Sequence, residues 1–184
     1  FPIDFDRLQR NLDGKNFYIV VSDGETAQPE YVELSRENYI NEMLATGSLP
    51  VLMKNPIMLN NKRKYDGGIT DPLPVKKAYE MGARNITLIR TYEESFIRKT
   101  KLENYIAALA TKSYPNISRA LISNTATYNS ALEFIKNPPS DCKIIQICPP
   151  HRLKTRRATT NQSIMKADYL VGIQAGQKFL QKFL

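Results

Sequence analysis

Cysteine and histidine are scarce in this chain of 184 residues, and each shortage closes off a class of chemistry. The two cysteines, Cys142 and Cys148, flank the apolar run Lys143-Ile144-Ile145-Gln146-Ile147. If that run is a strand, a rise of ~3.3 Å per residue holds the sulfurs well beyond bridging distance. Both are therefore expected as free thiols. His151 is the single histidine, so a zinc site is short of ligands and a Ser-His-Asp triad would have one candidate base. No apolar run approaches the ~20 residues that a membrane-spanning helix needs, which leaves only peripheral contact with a bilayer. Zinc-finger spacing, aromatic strand motifs and glycine-rich clamps are missing, and this disfavours nucleic acid as a partner. There is no internal repeat and no low-complexity segment.

What is present describes a globular chain. A hydrophobic content of 42% with 24% charged residues is enough to build a core. Lysine plus arginine number 26 against 18 acidic residues, a net charge of +8, and such a balance favours anionic partners such as lipid headgroups or phosphates. One basic stretch is Arg152-Leu153-Lys154-Thr155-Arg156-Arg157, just after the apolar run that ends at Ile147. Charge runs are most often solvated loops. Placed after the C-terminal end of a strand, however, Arg152, Lys154, Arg156 and Arg157 are candidates for meeting an anionic substrate group.

Periodicity gives the elements. Asn16 to Asp23 and Glu30 to Leu34 read as paired strands joined through the Asp23-Gly24 turn. Ser35 is placed to cap a helix with Tyr39, Ile40, Met43 and Leu44 on one face and Gly47 at its end. A short ribbon, Ile57 to Leu59 and Lys64 to Tyr65, turns through Asn60-Asn61. A brief helix from Pro74 to Met81 stops at Gly82, and Asn85 to Arg90 reads as a buried strand. That order predicts a parallel crossover. Glu94 to Lys112 is amphipathic, with Leu102, Tyr105, Ile106 and Leu109 on a shared face. Another helix begins beyond Pro115, with a break expected near Asn124, and ends at Pro138-Pro139. Cys142 to Cys148 is a third buried strand, and a last helix runs from Ser163.

The stretch between the ribbon and the brief helix is the most unusual. Tyr65-Asp66-Gly67-Gly68-Ile69-Thr70-Asp71-Pro72-Leu73-Pro74-Val75 sets a carboxylate beside two glycines, which cost unfolded-state entropy. Without side-chain bulk next to Asp66, the backbone can approach whatever the carboxylate faces. Strand ends are where α/β sheets place their chemistry, so Asp66 is the leading candidate residue. A turn aspartate that only satisfies nearby backbone N–H groups is the plain alternative.

This stretch, continued by Ala78, Gly82-Ala83-Arg84 and Arg90-Thr91, resembles the catalytic-aspartate segment of a bacterial branch of patatin-like phospholipases. Upstream, Ala45-Thr46-Gly47-Ser48-Leu49-Pro50 resembles that family's Ala-Ser-x-Ala-x-Pro stretch, with departures at Thr46 and Ser48. Downstream, Thr127-Tyr128-Asn129, Pro138-Pro139, Pro149-Pro150 and Asp168-Tyr169 with Gly172 and Gly176 resemble the tail of the same branch.

The resemblance implies an α/β fold, a three-layer αβα sheet of which this chain is the C-terminal part with a mostly helical tail. Residues 1–112 would complete the catalytic domain, and 113–184 would be a helical extension with one strand on the same core. It also implies a serine acyl hydrolase acting on lipid or small esters through a Ser–Asp dyad, with Asp66 as base and Gly67 and Gly68 as the supporting turn. No Gly-x-Ser-x-Gly elbow or glycine-rich oxyanion loop occurs here, so the nucleophile is expected in a preceding part of a longer protein. No cofactor or metal is expected. The expected location is cytoplasmic, with peripheral contact to anionic membrane. The chain is expected to associate with its missing N-terminal part or with itself. A non-catalytic basic module that binds anionic lipid or nucleic acid stands as the alternative.

Overall fold

The computed structural model describes residues 4–11, 14–35, 37–50, 53, 57–100, 102–156 and 158–183. The chain is mixed α/β and divides into two compact units, Phe1–Pro74 with Arg98–Ser130, and Val75–Ile97 with Ala131–Leu184.

The first unit opens with helix α1 (Phe5–Asn11) and is built on a four-stranded antiparallel sheet of β1 (Tyr18–Asp23), β2 (Pro29–Glu33), β3 (Ile57–Leu59) and β4 (Lys62–Asp66) in the order β2-β1-β4-β3. β1 is central because its Ile19 and Val21 bury one face while Ser22 serves the other. The β3–β4 hairpin turns through Asn60 and Asn61, both with positive φ (51° and 60°), where asparagine is tolerated better than most residues. Helix α2 (Tyr39–Thr46) covers one face, where Ile19, Val21 and Ala45 form a core with Val32, Leu34, Ile57 and Leu59. On the opposite face Tyr65, Ile69 and Ile117 pack with Tyr114, Ala120 and Leu121 of the α5 region. Helix α5 (Pro115–Lys136) belongs to the first unit as far as Ser130 and to the second from Ala131. Helix α4 (Leu102–Ala110) precedes it.

In the second unit, β5 (Asn85–Ile89) and β6 (Lys143–Ile147) form a parallel pair, with Ile86 opposite Ile144 and Ile89 opposite Ile147. Helix α3 (Val75–Glu80) packs near β5, and Gly82 follows it at φ +100°, a left-handed stop that suits glycine. Tyr79 is the hub. Its ring lies 5.9 Å from Phe134, its hydroxyl donates to Asp141 Oδ1 (3.0 Å), and the Arg84 guanidinium stacks 4.2 Å above it while pairing with Asp141 at 2.7 Å. Helix α6 (Gln162–Phe183) closes the chain. Cys142 and Cys148 are free thiols, and burial pushes the Cys148 thiol above its ordinary range.

Several expectations are corrected. β4 and β5 do not form a parallel crossover in one sheet. β1 and β3 already occupy both edges of β4, so β5 pairs with β6 instead. β5 is not a fully buried strand, because Asn85, Thr87 and Ile89 alternate outward. Ser35 does not cap α2; the preceding residue is Asn38, whose side-chain oxygen accepts the Ser35 N–H at 2.8 Å. Residues 94–100 are not helical. There the backbone N–H and C=O of Arg98 are both taken by the amide of Asn129, at 3.0 and 2.9 Å, which holds that segment in another conformation. The helix after Pro115 does not break at Asn124, since that side chain finds partners outside its own helix.

Candidate functional site

Asp66 ends β4 and begins a single 3-10 turn, Gly67–Ile69. Its backbone is fixed from two sides. The Asp66 N–H donates to the Ser48 carbonyl at 2.8 Å, and the Asp66 carbonyl accepts the Ser22 hydroxyl at 2.8 Å. Ser22, fully buried in the central strand, also lies 2.8 Å from the Thr70 hydroxyl. Asp66 Oδ1 accepts the Gly68 N–H at 2.7 Å. Among the described residues no other donor reaches the carboxylate, and the side chain is half-buried.

The two glycines do different work. Gly67 is packed so closely on Val20 that a methyl group there would overlap the Val20 carbonyl, so any other residue would force β1 and the turn apart. At Gly68 an added Cβ would lie 3.0 Å from Asp66 Oδ1, and Gly68 itself is exposed. The turn is then closed by its neighbours. Thr70 and Asp71 N–H groups donate to the Gly67 carbonyl (3.1 and 2.9 Å), and Asn124 of α5 donates to the carbonyls of Gly68 (2.6 Å) and Ile69 (3.0 Å). Tyr31 donates to Asp71 Oδ2 at 2.5 Å, which makes Asp71 a brace of the turn.

The fold joins to this turn the stretch Ala45-Thr46-Gly47-Ser48. Ala45 is buried in the α2 core, the Thr46 hydroxyl donates to the Val20 carbonyl at 2.7 Å, and Ser48 supplies the carbonyl that receives Asp66. Ser48 is completely buried, and its Oγ has no hydrogen-bond partner among the described residues. No serine hydroxyl among the described residues is hydrogen-bonded to the Asp66 carboxylate.

Two residues before Asp66, Lys64 is buried in an ion cluster that pattern reading did not find. Its Nζ lies 3.0 Å from Asp23 Oδ2 and 2.6 Å from Glu30 Oε1. Burial alone would lower the ammonium, but the two carboxylates prevail and hold it above its ordinary range. Asp23 is likewise opposed by burial, yet the N–H groups of Thr26 and Glu25, the Thr26 hydroxyl and Lys64 hold its carboxyl well below the usual carboxylate range. Glu42 on α2 faces the same charges. Burial pushes its carboxyl up, with Lys64 opposing and Glu30 reinforcing. The signal available in sequence was a lysine set inside a strand and cross-strand to an aspartate, Asp23 opposite Lys64.

The basic loop belongs to the second unit, whereas Asp66, Gly67 and Gly68 belong to the first. Arg152 and Lys154 are exposed, and Arg157 lies outside the described residues. The Arg156 guanidinium donates to the carbonyls of Leu153 (2.5 Å) and Thr155 (2.9 Å), so the loop folds on its own backbone. The Thr155 N–H donates to Asp168 Oδ2 of α6 at 2.6 Å, and the Thr155 side chain together with this N–H holds the Asp168 carboxyl below its ordinary range. Among the described residues no group of three histidine, cysteine or carboxylate side chains is arranged to hold a metal ion, and no helix is long and apolar enough to cross a membrane.

Residues 114–184 match the family described as a domain of unknown function, DUF6363. The chain is also similar to the uncharacterized protein YjjU of Escherichia coli strain K12, with 25% identity over 186 residues that cover 97% of this chain and 51% of the relative. The chain thus spans about half the length of the curated relative it matches. These findings correct the resemblance to patatin-like phospholipases. The family found is one of unknown function, its match begins after the Asp66 turn, and the relative is uncharacterized.

Proposed function

We propose that this chain carries the proton acceptor of a serine acyl hydrolase whose nucleophile lies in residues beyond this sequence. One observation carries the proposal. Asp66 is held at a strand end by both of its backbone groups and by one carboxylate oxygen, while its other oxygen has no donor among the described residues. A base must be placed before it can be effective, and an oxygen fixed in this manner can meet a hydroxyl within about 2.6–3.2 Å without reorganising.

The chemistry assigned to Asp66 is direct proton transfer. As a serine Oγ bonds to an ester carbonyl carbon, its proton passes to the free Asp66 oxygen. When the ester C–O bond breaks, that proton goes to the departing alkoxide. Water then releases the acyl group by the same exchange. Oxyanion donors would come with the nucleophile, and the relative of about twice this length leaves room for both. In this reading the whole protein is a three-layer αβα sheet enzyme acting on lipid or small esters. The braces from Ser22, Ser48, Asn124 and Tyr31 are positioning residues. Mere capping of the 3-10 turn is the competing role for Asp66, and asparagine would cap about equally well.

That equivalence gives the test. In a protein containing this sequence and its remainder, Asp66→Asn should keep the fold and lower turnover of a short-chain aryl ester about 10²–10⁴-fold, the usual worth of a positioned base. The 184-residue chain assayed in parallel should be inactive. Near-parental turnover in the Asn variant, or hydrolysis by the chain alone, would return Asp66 to a capping role.

A further inference from the structure

Helix α4 is built inside out. In a helix that covers a core, the large apolar side chains face inward. In α4 the buried positions are small, with Ala108 at 4% exposure and Thr111 just beyond the helix at 2%. Contact with α5 is made through the backbone, as the Ser118 hydroxyl donates to the Ala108 carbonyl at 2.9 Å. The large side chains are displayed instead: Leu102 is 74% exposed, Tyr105 48%, Ile106 56% and Leu109 72%. Spaced three and four apart, they make one continuous outward stripe.

We propose that this stripe is a docking surface for an anionic lipid bilayer. Charge brackets it. Lys99 precedes the helix and Lys112 follows it, both exposed, while Glu103 is the only acidic residue in the helix. The whole chain carries a net charge of +8. An apolar face with a lysine beyond each end is matched by a surface that offers both an apolar layer and negative headgroups, and a bilayer supplies the two together. Tyr105 adds an amphipathic ring of the kind that settles at headgroup depth. A second copy of the chain would match the apolar stripe but bring like charge against Lys99 and Lys112. With four large side chains on nine residues, the helix binds reversibly, and both apolar and electrostatic parts are needed.

The test measures binding without turnover, so it stands or falls apart from the hydrolase reading. The chain is sedimented with vesicles of phosphatidylcholine alone and of phosphatidylcholine with an equal part of phosphatidylglycerol. Binding is expected to the second kind only and to weaken with salt. Leu102→Gln with Leu109→Gln should reduce it at least about tenfold, and each of Lys99→Gln and Lys112→Gln about fivefold. The chain has no tryptophan, so Tyr105→Trp reports the face by itself. Its emission should shift to the blue and be quenched by brominated acyl chains. Unchanged binding by the double leucine variant, no shift at Tyr105→Trp, or no binding to anionic vesicles would overturn the proposal. So would self-association that the leucine substitutions abolish, since that would make the stripe an interface between copies.

Discussion

At the scale of single residues, the Asp66 turn depends on where bulk is forbidden. Gly67 lies against the Val20 backbone, which belongs to the central strand and cannot yield without disturbing pairing on both sides, whereas at Gly68 an added Cβ would meet Asp66 Oδ1 at 3.0 Å, a contact relieved by a small shift. Gly67→Ala is therefore expected to destabilise the chain by about 1–3 kcal/mol or more, as overpacking against rigid surroundings does. Gly68→Ala should cost a fraction of that. Urea midpoints of the two variants decide the matter, and equal losses would mean that the turn slides away from β1 at little cost. Asn124 supplies a second lesson at this scale. An asparagine inside a helix reads as a breaking point, yet its amide has two carbonyls of the turn to satisfy, so the helix continues through it.

At the scale of elements, β4 joins the Asp66 turn to the Lys64 cluster. Removing the cation while leaving Asp23 buried strands a charge in the sheet, and Lys64→Met should cost about 3–5 kcal/mol at neutral pH. The pH dependence follows from the direction of the Asp23 shift. Its folded carboxyl sits below the unfolded value of about 3.9, so its contribution to parental stability is complete above that pH and fades as the pH falls below it. In the variant the buried carboxylate is a burden only while charged. The stability gap between parent and variant should accordingly narrow as pH drops below about 4. Denaturant unfolding across that range checks it, and a gap independent of pH would mean that the loss comes from packing alone.

At the scale of the whole molecule, the parallel pair of the second unit bears on association. Parallel strands are ordinarily buried on both faces within larger sheets. Here, among the described residues, β5 and β6 form a pair with no third strand, and Ile89 is 76% exposed. Open apolar edges of this kind pair with other chains. The 184-residue chain is expected to associate when purified by itself, giving a light-scattering mass above its 21.0 kDa, and to do so equally when Leu102 and Leu109 are replaced. A monodisperse monomer at high concentration would show that the pair is stable as it stands.

Sequence alone determined the local elements, because local forces write them. The β-branched run at β1, the Asn60-Asn61 turn, the glycine stop after α3 and the free cysteines were all legible. The candidate turn at Asp66 was legible as well, since two adjacent glycines beside a carboxylate have few structural uses. Tertiary structure decided what pattern does not encode: which strands pair and what each face meets. The identical spacing of Leu102, Tyr105, Ile106 and Leu109 serves a core-facing helix and an outward-facing one equally, and only the small residues packed behind α4 reveal the difference. Likewise, no spacing rule brings Ser22, Ser48 and Asn124 to one turn. Their separations of 44, 18 and 58 residues from Asp66 along the chain are closed only by folding the sheet between its helices.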